Sequence, residues 1–288
     1  MKDIAVVYKF SALESYSPRQ IRKHRELNPE LSVRLEAAHD DHARALDRFR
    51  KLLQSTRASI TYFERDSLQQ SLDAYRLVVS FGGDGTFINA SHFIERSVLL
   101  GVNSSPENSV GHYCRFNLKS ATATRRLEAQ LGAMLEGKKP AVAETQLLRM
   151  HVGVQGRAVA FPVLNDVLFT EANPAATSRY TLRYRRSTHH QKSSGIWVTT
   201  PTGSTAAYAS AGGKPFRQKE LRFIVRELYS DDGRRLGAGS VKSGETLGIV
   251  SSMMNGALFV DGSHHRVPIA LGEHLHIRAH DTHLRAIY

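Results

Sequence analysis

Apolar and polar positions alternate with two different periods along this chain, and the change of period divides it. In the first hundred residues four short apolar runs stand out: IAVVY (4–8), SITYF (59–63), RLVVSF (76–81) and VLLGV (98–102). Their β-branched and aromatic content, unbroken by polar positions, predicts strands buried on both faces. Between the first two lies LSVRLEAAHDDHARALDRFRKLLQ, whose Leu35, Leu46, Phe49 and Leu53 fall near one helical face. Strands that alternate with helices predict an α/β N-terminal domain built on a doubly wound parallel sheet.

After about residue 120 the texture changes. The segment ATATRRLEAQLGAML predicts a helix, and many short alternating runs follow it. LLRMHVGV, RAVAFPVLNDVLF, YTLRYRR, GIWVTT, TLGIV, ALFVDG, HLHIRA and LRAIY read as strands separated by turn residues. EANPAATS and RSTHHQKSS read as loops between them. The expectation is therefore two domains: 1–120, α/β, and 121–288, mostly β.

Composition changes this picture little. Apolar residues make up 41% and charged residues 23% of 288, as in ordinary globular proteins. No apolar run reaches the roughly 20 residues that span a bilayer, so no membrane partner is expected. The N-terminus enters a strand pattern at Ile4, which argues against a leader peptide, and one cysteine, Cys114, suits a reducing compartment. A cytoplasmic protein is the expectation. Lys and Arg number 39 against 27 Asp and Glu, a formal +12, which suits anionic ligands. No nucleic-acid-binding motif accompanies that charge, so nucleic acid is not an expected partner. The fourteen histidines, including His189, His190, His264 and His265, show no metal spacing, and no metal-ligating residue is assigned. Trp197 is expected in the core.

The chemistry concentrates in two stretches. In RLVVSFGGDGTFINASHF, Gly82, Gly83, Asp84, Gly85 and Thr86 follow a buried strand and precede a helix. Glycines let main-chain N–H groups approach an anion, so this turn can cradle phosphate, at the strand end where α/β sheets bind ligands. It is neither a Walker A loop nor G-x-G-x-x-G. A carboxylate inside a phosphate cradle repels the ligand, and it makes sense there if Asp84 takes a proton or holds a metal. The alternative is a glycine-rich turn with Asp84 capping the helix. The second stretch, SSGIWVTTPTGSTAAYASAGGKP (193–215), offers hydroxyls and small side chains against which an extended ligand can lie. Ser204 or Thr205 is expected to cap a short helix there; an ordinary strand–turn–helix is the alternative.

Together with GVNSSPENSVGHYC (101–114) and FPVLNDVLF (161–169), these stretches resemble the NAD kinase family, within the larger group of GGDGT kinases. The resemblance runs from the first strand to VDG near the end, in the family's order and spacing. SSPENSVGHYC, KSSG and YKFSALESYS are similar in detail to the animal mitochondrial branch. The resemblance implies ATP-dependent transfer of the γ-phosphoryl group, with Mg²⁺, to the 2′-hydroxyl of the NAD adenosine ribose, giving NADP. It implies Asp84 as general base; Gly82, Gly83, Gly85 and Thr86 around the phosphates, with Asn103 in the loop beside them; and Asn165, Asp166, Ser194, Thr205, Ala206 and Ser210 at dinucleotide-binding positions. A homodimer follows from the same resemblance. Asp166 replaces the family's usual Glu, Ser194 its usual Asp, and Ala207 its usual Tyr, with Tyr208 displaced by one, so that tyrosine's role is not carried over. Two other readings stay open: a GGDGT kinase acting on a lipid or sugar phosphate, and a non-catalytic dinucleotide-binding sensor.

Overall fold

In the computed structural model, which describes residues 2–11, 13–229 and 236–288, the first unit is built on a mostly parallel sheet. Its strands run in the order Ile60–Glu64, Lys2–Tyr8, Tyr75–Gly82, Val98–Asn103, Leu284–Ile287, Thr145–Leu147, and Phe116–Asn117 pairs alongside Val98–Asn103. Lys2–Tyr8 pairs in parallel with both Ile60–Glu64 and Tyr75–Gly82, and Tyr75–Gly82 with Val98–Asn103. The strand Tyr75–Gly82 is buried throughout except at Arg76, as its unbroken apolar pattern predicts for a strand covered on both faces.

One face of that sheet carries two helices, Pro29–Gln54 and Ala121–Leu135. Phe49, Leu52, Leu53, Leu127 and Leu131 share a buried cluster with Ile4, Val6, Leu77, Val79 and Leu100. Phe49 stacks on Phe81 with ring centroids 4.9 Å apart. Removing either ring would leave a cavity costing about 3–5 kcal/mol. Ala5, Val7, Val78 and Leu99 alternate to the opposite face, which packs near the helix Asp84–Ser91.

Contacts divide the described chain into Met1–Gln146 with Leu284–Tyr288, and Leu147–His283. The sequence expectation of a boundary at 120 therefore differs from the observed division at both ends. Helix Ala121–Leu135 lays its apolar stripe on the first sheet, and the last strand, Leu284–Ile287, joins that sheet in parallel beside Val98–Asn103. Neither partner is visible from local periodicity.

The second unit consists of two six-stranded antiparallel sheets. One runs Ser187–Ser193, Ser178–Tyr184, Leu247–Ser251, His274–Ala279, Met150–Val154, Arg157–Ala158; the other runs Ala238–Val241, Leu221–Val225, Ile196–Thr199, Asp166–Glu171, Gly256–Val260, His265–Ile269. Their inner faces meet in one core that includes Val152, Leu182, Ile249 and Leu275 from the first, and Val167, Phe169, Val198 and Leu258 from the second. Tyr180 meets Phe169 edge-on across it at 5.6 Å.

Two expectations need correction here. RSTHHQKSS is not a loop: Ser187–Ser193 is an edge strand paired with Ser178–Tyr184 along its whole length. Its outward positions face solvent and only Gln191 and Ser193 are buried, so it lacks the apolar alternation that marks a strand in sequence. Trp197 is only half-buried, because Ile196 and Val198 point into the sandwich and Trp197 points away from it.

Candidate active site

The first constellation belongs to the parallel-sheet unit. The strand Lys2–Tyr8 connects outward to Ile60–Glu64, after which the chain crosses to Tyr75–Gly82 on the other side. That reversal is the switch point of the sheet, where carboxyl ends leave a crevice for ligands. Gly82, Gly83 and Asp84 stand at that end.

Gly83 is the N-cap of the helix Asp84–Ser91, and Asp84 is its first residue; the Asp84 side chain does not cap this helix. Its carboxylate instead accepts the main-chain N–H groups of His112 at 2.9 Å and Tyr113 at 2.7 Å. A carboxylate has about four lone-pair sites, so each oxygen keeps one for a further donor. The glycines differ in what they permit. A Cβ on Gly82 would lie 2.3 Å from Thr86 Oγ1, whereas one on Gly85 would meet nothing within 4 Å. Gly82 is thus required by the fold itself, and Gly85 leaves an open approach to the helix N-terminus.

Thr86 is buried, and neither its Oγ1 nor Asn89 Oδ1 has a hydrogen-bond partner. A buried hydroxyl without a partner is unfavourable, which suits a ligand oxygen at that place. Asn103 is also buried, but its side chain is engaged within its own loop: Nδ2 donates to Ser109 O at 3.1 Å and Oδ1 accepts from Ser105 N at 3.0 Å. Gly111, at φ +64, passes so close that a Cβ would sit 2.5 Å from Asn103 Nδ2. Asn103 shapes the loop that carries His112 and Tyr113 to Asp84. Cys114 is buried beside it, its thiol pushed up by burial first and then by the Asp84 charge. It is a packed thiol, with no sign of an activated thiolate.

Lys9 went unnoticed in the sequence. Tyr8 pairs with Phe81, so Lys9 follows beside Gly82 at the switch point, and burial foremost holds its ammonium below the usual lysine range. A lone lysine directly after a buried strand was the available signal.

The second constellation belongs to the sandwich. Leu164, Asn165 and Asp166 bend into the strand Asp166–Glu171, and Asp261 collects all three N–H groups: Leu164 to Oδ2 at 2.8 Å, Asn165 to Oδ1 at 2.7 Å and Asp166 to Oδ1 at 3.1 Å. On the carbonyl side, Leu164 O accepts Thr200 Oγ1 at 2.6 Å and Asn165 O accepts Thr200 N at 2.9 Å. A Cβ on Gly203 would fall 2.3 Å from Asn165 O. The LNDVLF and TTPTGST stretches, 34 and more residues apart in sequence, are therefore one knot of hydrogen bonds around Asn165. Asp166 is buried; burial first, and then the Asp261 charge, pushes its carboxyl up to about 7.

Thr205, Ala206 and Ser210 lie exposed on the segment after this knot, a single 3-10 turn, Gly203–Thr205, followed by a four-residue helix, Ala207–Ser210. The expected cap by Ser204 or Thr205 is absent. Ser204 Oγ donates to Pro201 O and accepts from Phe216 N, tying down the far end of the segment instead. Tyr208 is buried against Phe216 and Gly213, where a Cβ would strike its ring at 2.2 Å. Ser194 does not join the knot. It lies at the opposite end of the strand Ile196–Thr199, its N–H bonded to Arg226 O, roughly 15 Å away by strand rise. Among the described residues no group of three acids, histidines or cysteines could hold a metal ion, and no helix is long and apolar enough to cross a membrane.

No protein-family model matches the chain. A rice (Oryza sativa subsp. japonica) protein named "Probable NADH kinase" is 32% identical over 286 residues, covering 90% of this chain and 85% of that one. Further relatives include an NADH kinase of Arabidopsis thaliana and the NAD kinase of Acinetobacter baylyi. Among solved structures, an Archaeoglobus fulgidus NAD kinase in complex with ATP matches 99% of this chain and 93% of its own, with TM-score 0.64 and 17% identity. Yeast NADH kinase complexed with NADH matches 99% of this chain and 83% of its own, with TM-score 0.67 and 12% identity. The two structures share the fold, and the extent of the rice match decides the relationship: this chain belongs to the NAD kinase family.

Proposed function

We propose that the chain is an ATP-dependent NAD(H) kinase in which Asp84 is the general base. The observation that carries this reading is the Asp84 carboxylate, held at the switch point between Gly83 and Gly85 by two main-chain N–H groups with a lone pair left on each oxygen. Asp84 accepts the proton of the adenosine ribose 2′-hydroxyl as that oxygen bonds to the γ-phosphorus; the bond from the γ-phosphorus to the β–γ bridging oxygen breaks and ADP leaves with the electron pair. The N–H groups at the helix start and the Thr86 hydroxyl receive the phosphates, with Lys9 adding positive charge beside them. The ion enters as part of the MgATP substrate, since Mg²⁺ keeps waters and phosphate oxygens as its ligands.

Asn165, Asp166, Thr205, Ala206 and Ser210 take the dinucleotide in this reading. Ser194 stands apart from them, and a homodimer whose second copy brought this position to the ligand would reconcile it with the family's pattern. Asp166, neutral up to about pH 7, can donate a hydrogen bond to the dinucleotide. The branch assignment within the family rests on KSSG and SSPENSVGHYC, while the relatives described above are from plants and a bacterium. A cytoplasmic location rests on the composition alone.

The test is incubation of the chain with MgATP and either NAD or NADH, with NADP(H) measured by an NADP-specific dehydrogenase. Product from wild type and none from Asp84→Asn supports the reading. Binding of NAD by calorimetry without product from any donor replaces it with the sensor, and phosphorylation of a lipid in preference to NAD replaces it with the lipid kinase.

A further inference from the structure

Asp261 ends the strand Gly256–Val260 and begins the turn toward His265–Ile269. Its backbone lies at φ 49, a region that few residues other than glycine enter and that Asp and Asn tolerate best. The ladder does not require it there, because Val260 already pairs with Val167 and sets the register. From this position its carboxylate reaches three consecutive main-chain N–H groups, and its own N–H returns to Asp166 O at 2.9 Å.

Three successive N–H groups gathered on one side of a bend are satisfied together by this one anion. The carbonyls of Leu164 and Asn165, on the other side of the bend, are taken by Thr199, Thr200 and Thr202. With both sides of the main chain bonded, the directions of the Asn165 and Asp166 side chains are determined by groups that need not touch the ligand.

We propose that Asp261 is a positioning residue for dinucleotide binding, its carboxylate gathering the N–H groups of Leu164, Asn165 and Asp166 so that the Asn165 and Asp166 side chains are presented in one fixed arrangement. The proposal rests on the reading of those two residues as dinucleotide ligands given above. Asp261 acts through them and touches neither the reacting oxygen nor the transferred phosphoryl group. Loss of the carboxylate frees the bend and lets both side chains wander, which weakens a ligand held by both.

The experiment uses the full chain as wild type, Asp261→Ala and Asp261→Asn, the last keeping one acceptor oxygen. Calorimetry gives the affinities for NAD and for ATP, steady-state rates give KM for each, and a melting curve and amide exchange at 164–166 report the fold. The expected result is NAD affinity weakened about 10- to 100-fold in Asp261→Ala, with faster exchange at the three amides, an intermediate loss in Asp261→Asn, and ATP affinity within about twofold of wild type. Unchanged NAD affinity in both variants overturns the proposal. So does equal weakening toward NAD and ATP with a lowered melting temperature, which would make Asp261 a residue of the fold alone. If the alanine variant does not fold, the asparagine variant decides on the same terms, and failure of both to fold also overturns it. A wild-type chain that binds no dinucleotide sinks the functional reading and this one with it, whereas a wild type and variants that bind equally sink only the role of Asp261.

Discussion

Tyr113 donates its main-chain N–H to Asp84 at 2.7 Å while its ring stacks on Phe87, three residues along the same helix, at 4.8 Å and 3° between planes. One loop residue is thus fixed to the start of the helix by its backbone and to the first turn by its side chain. Asp84 therefore holds the loop with the same carboxylate that the proposed reading uses as the base. Asp84→Asn keeps one acceptor oxygen but turns an amide NH₂ toward a second N–H. Turnover is expected to fall about 10²-fold or more, with NAD binding still measurable by calorimetry. A near-normal rate in that variant removes the base assignment.

The glycines give a paired comparison. Gly82→Ala places a Cβ 2.3 Å from Thr86 Oγ1 inside the cradle, so the strand or the helix must shift. Destabilisation of about 1–3 kcal/mol is expected, read from the denaturant midpoint. Gly85→Ala meets nothing within 4 Å and should leave the midpoint in place. In the proposed reading any loss there should fall on KM for ATP, because the added methyl would stand beside the phosphates.

Thr86→Val separates packing from chemistry. The hydroxyl is buried with no partner, so an equally sized apolar side chain should leave stability unchanged or raise it slightly. If that oxygen serves the phosphates, activity at low ATP should fall by about tenfold, as for a lost hydrogen bond to a charged group. Unchanged kinetics would make Thr86 a packing residue only.

Asp166 predicts a pH effect. Its folded carboxyl is raised from 3.8 to about 7, so the folded protein holds a proton that the unfolded chain has released. The stability it contributes is fully present below about pH 4 and declines until about pH 7, above which it is lost. Asp166→Asn should remove that decline, so that melting temperatures of the two proteins converge in acid and the variant is the more stable at pH 8. Parallel curves would mean that Asp166 does not titrate in this range.

The parallel-sheet strands could be read residue by residue, since Leu77, Val78 and Val79 are buried on both faces and their apolar run needs no distant partner to explain it. The glycine-rich turn was equally plain, because Gly82 and Asp84 are neighbours and a strand-to-helix turn is a local structure. The polar edge strand Ser187–Ser193 was not, because its ladder bonds come from the backbone and leave no mark in side-chain polarity. The tasks of Asp84 and Asn103 in holding their loop were also hidden, because those bonds depend on where main-chain groups up to 29 residues away come to rest.

By itself the sequence determined the alternation of elements, the place of the glycine-rich strand-to-helix turn and the family, all of which depend on residue type and short spacing. Only the tertiary structure decided that Leu284–Ile287 joins the first sheet, that Ser194 lies apart from Asn165, and that Asp261 reaches back some 95 residues to hold Asp166. Those outcomes follow from buried main-chain groups having to find partners wherever the closed sheets place them, and no periodicity along the chain records that search.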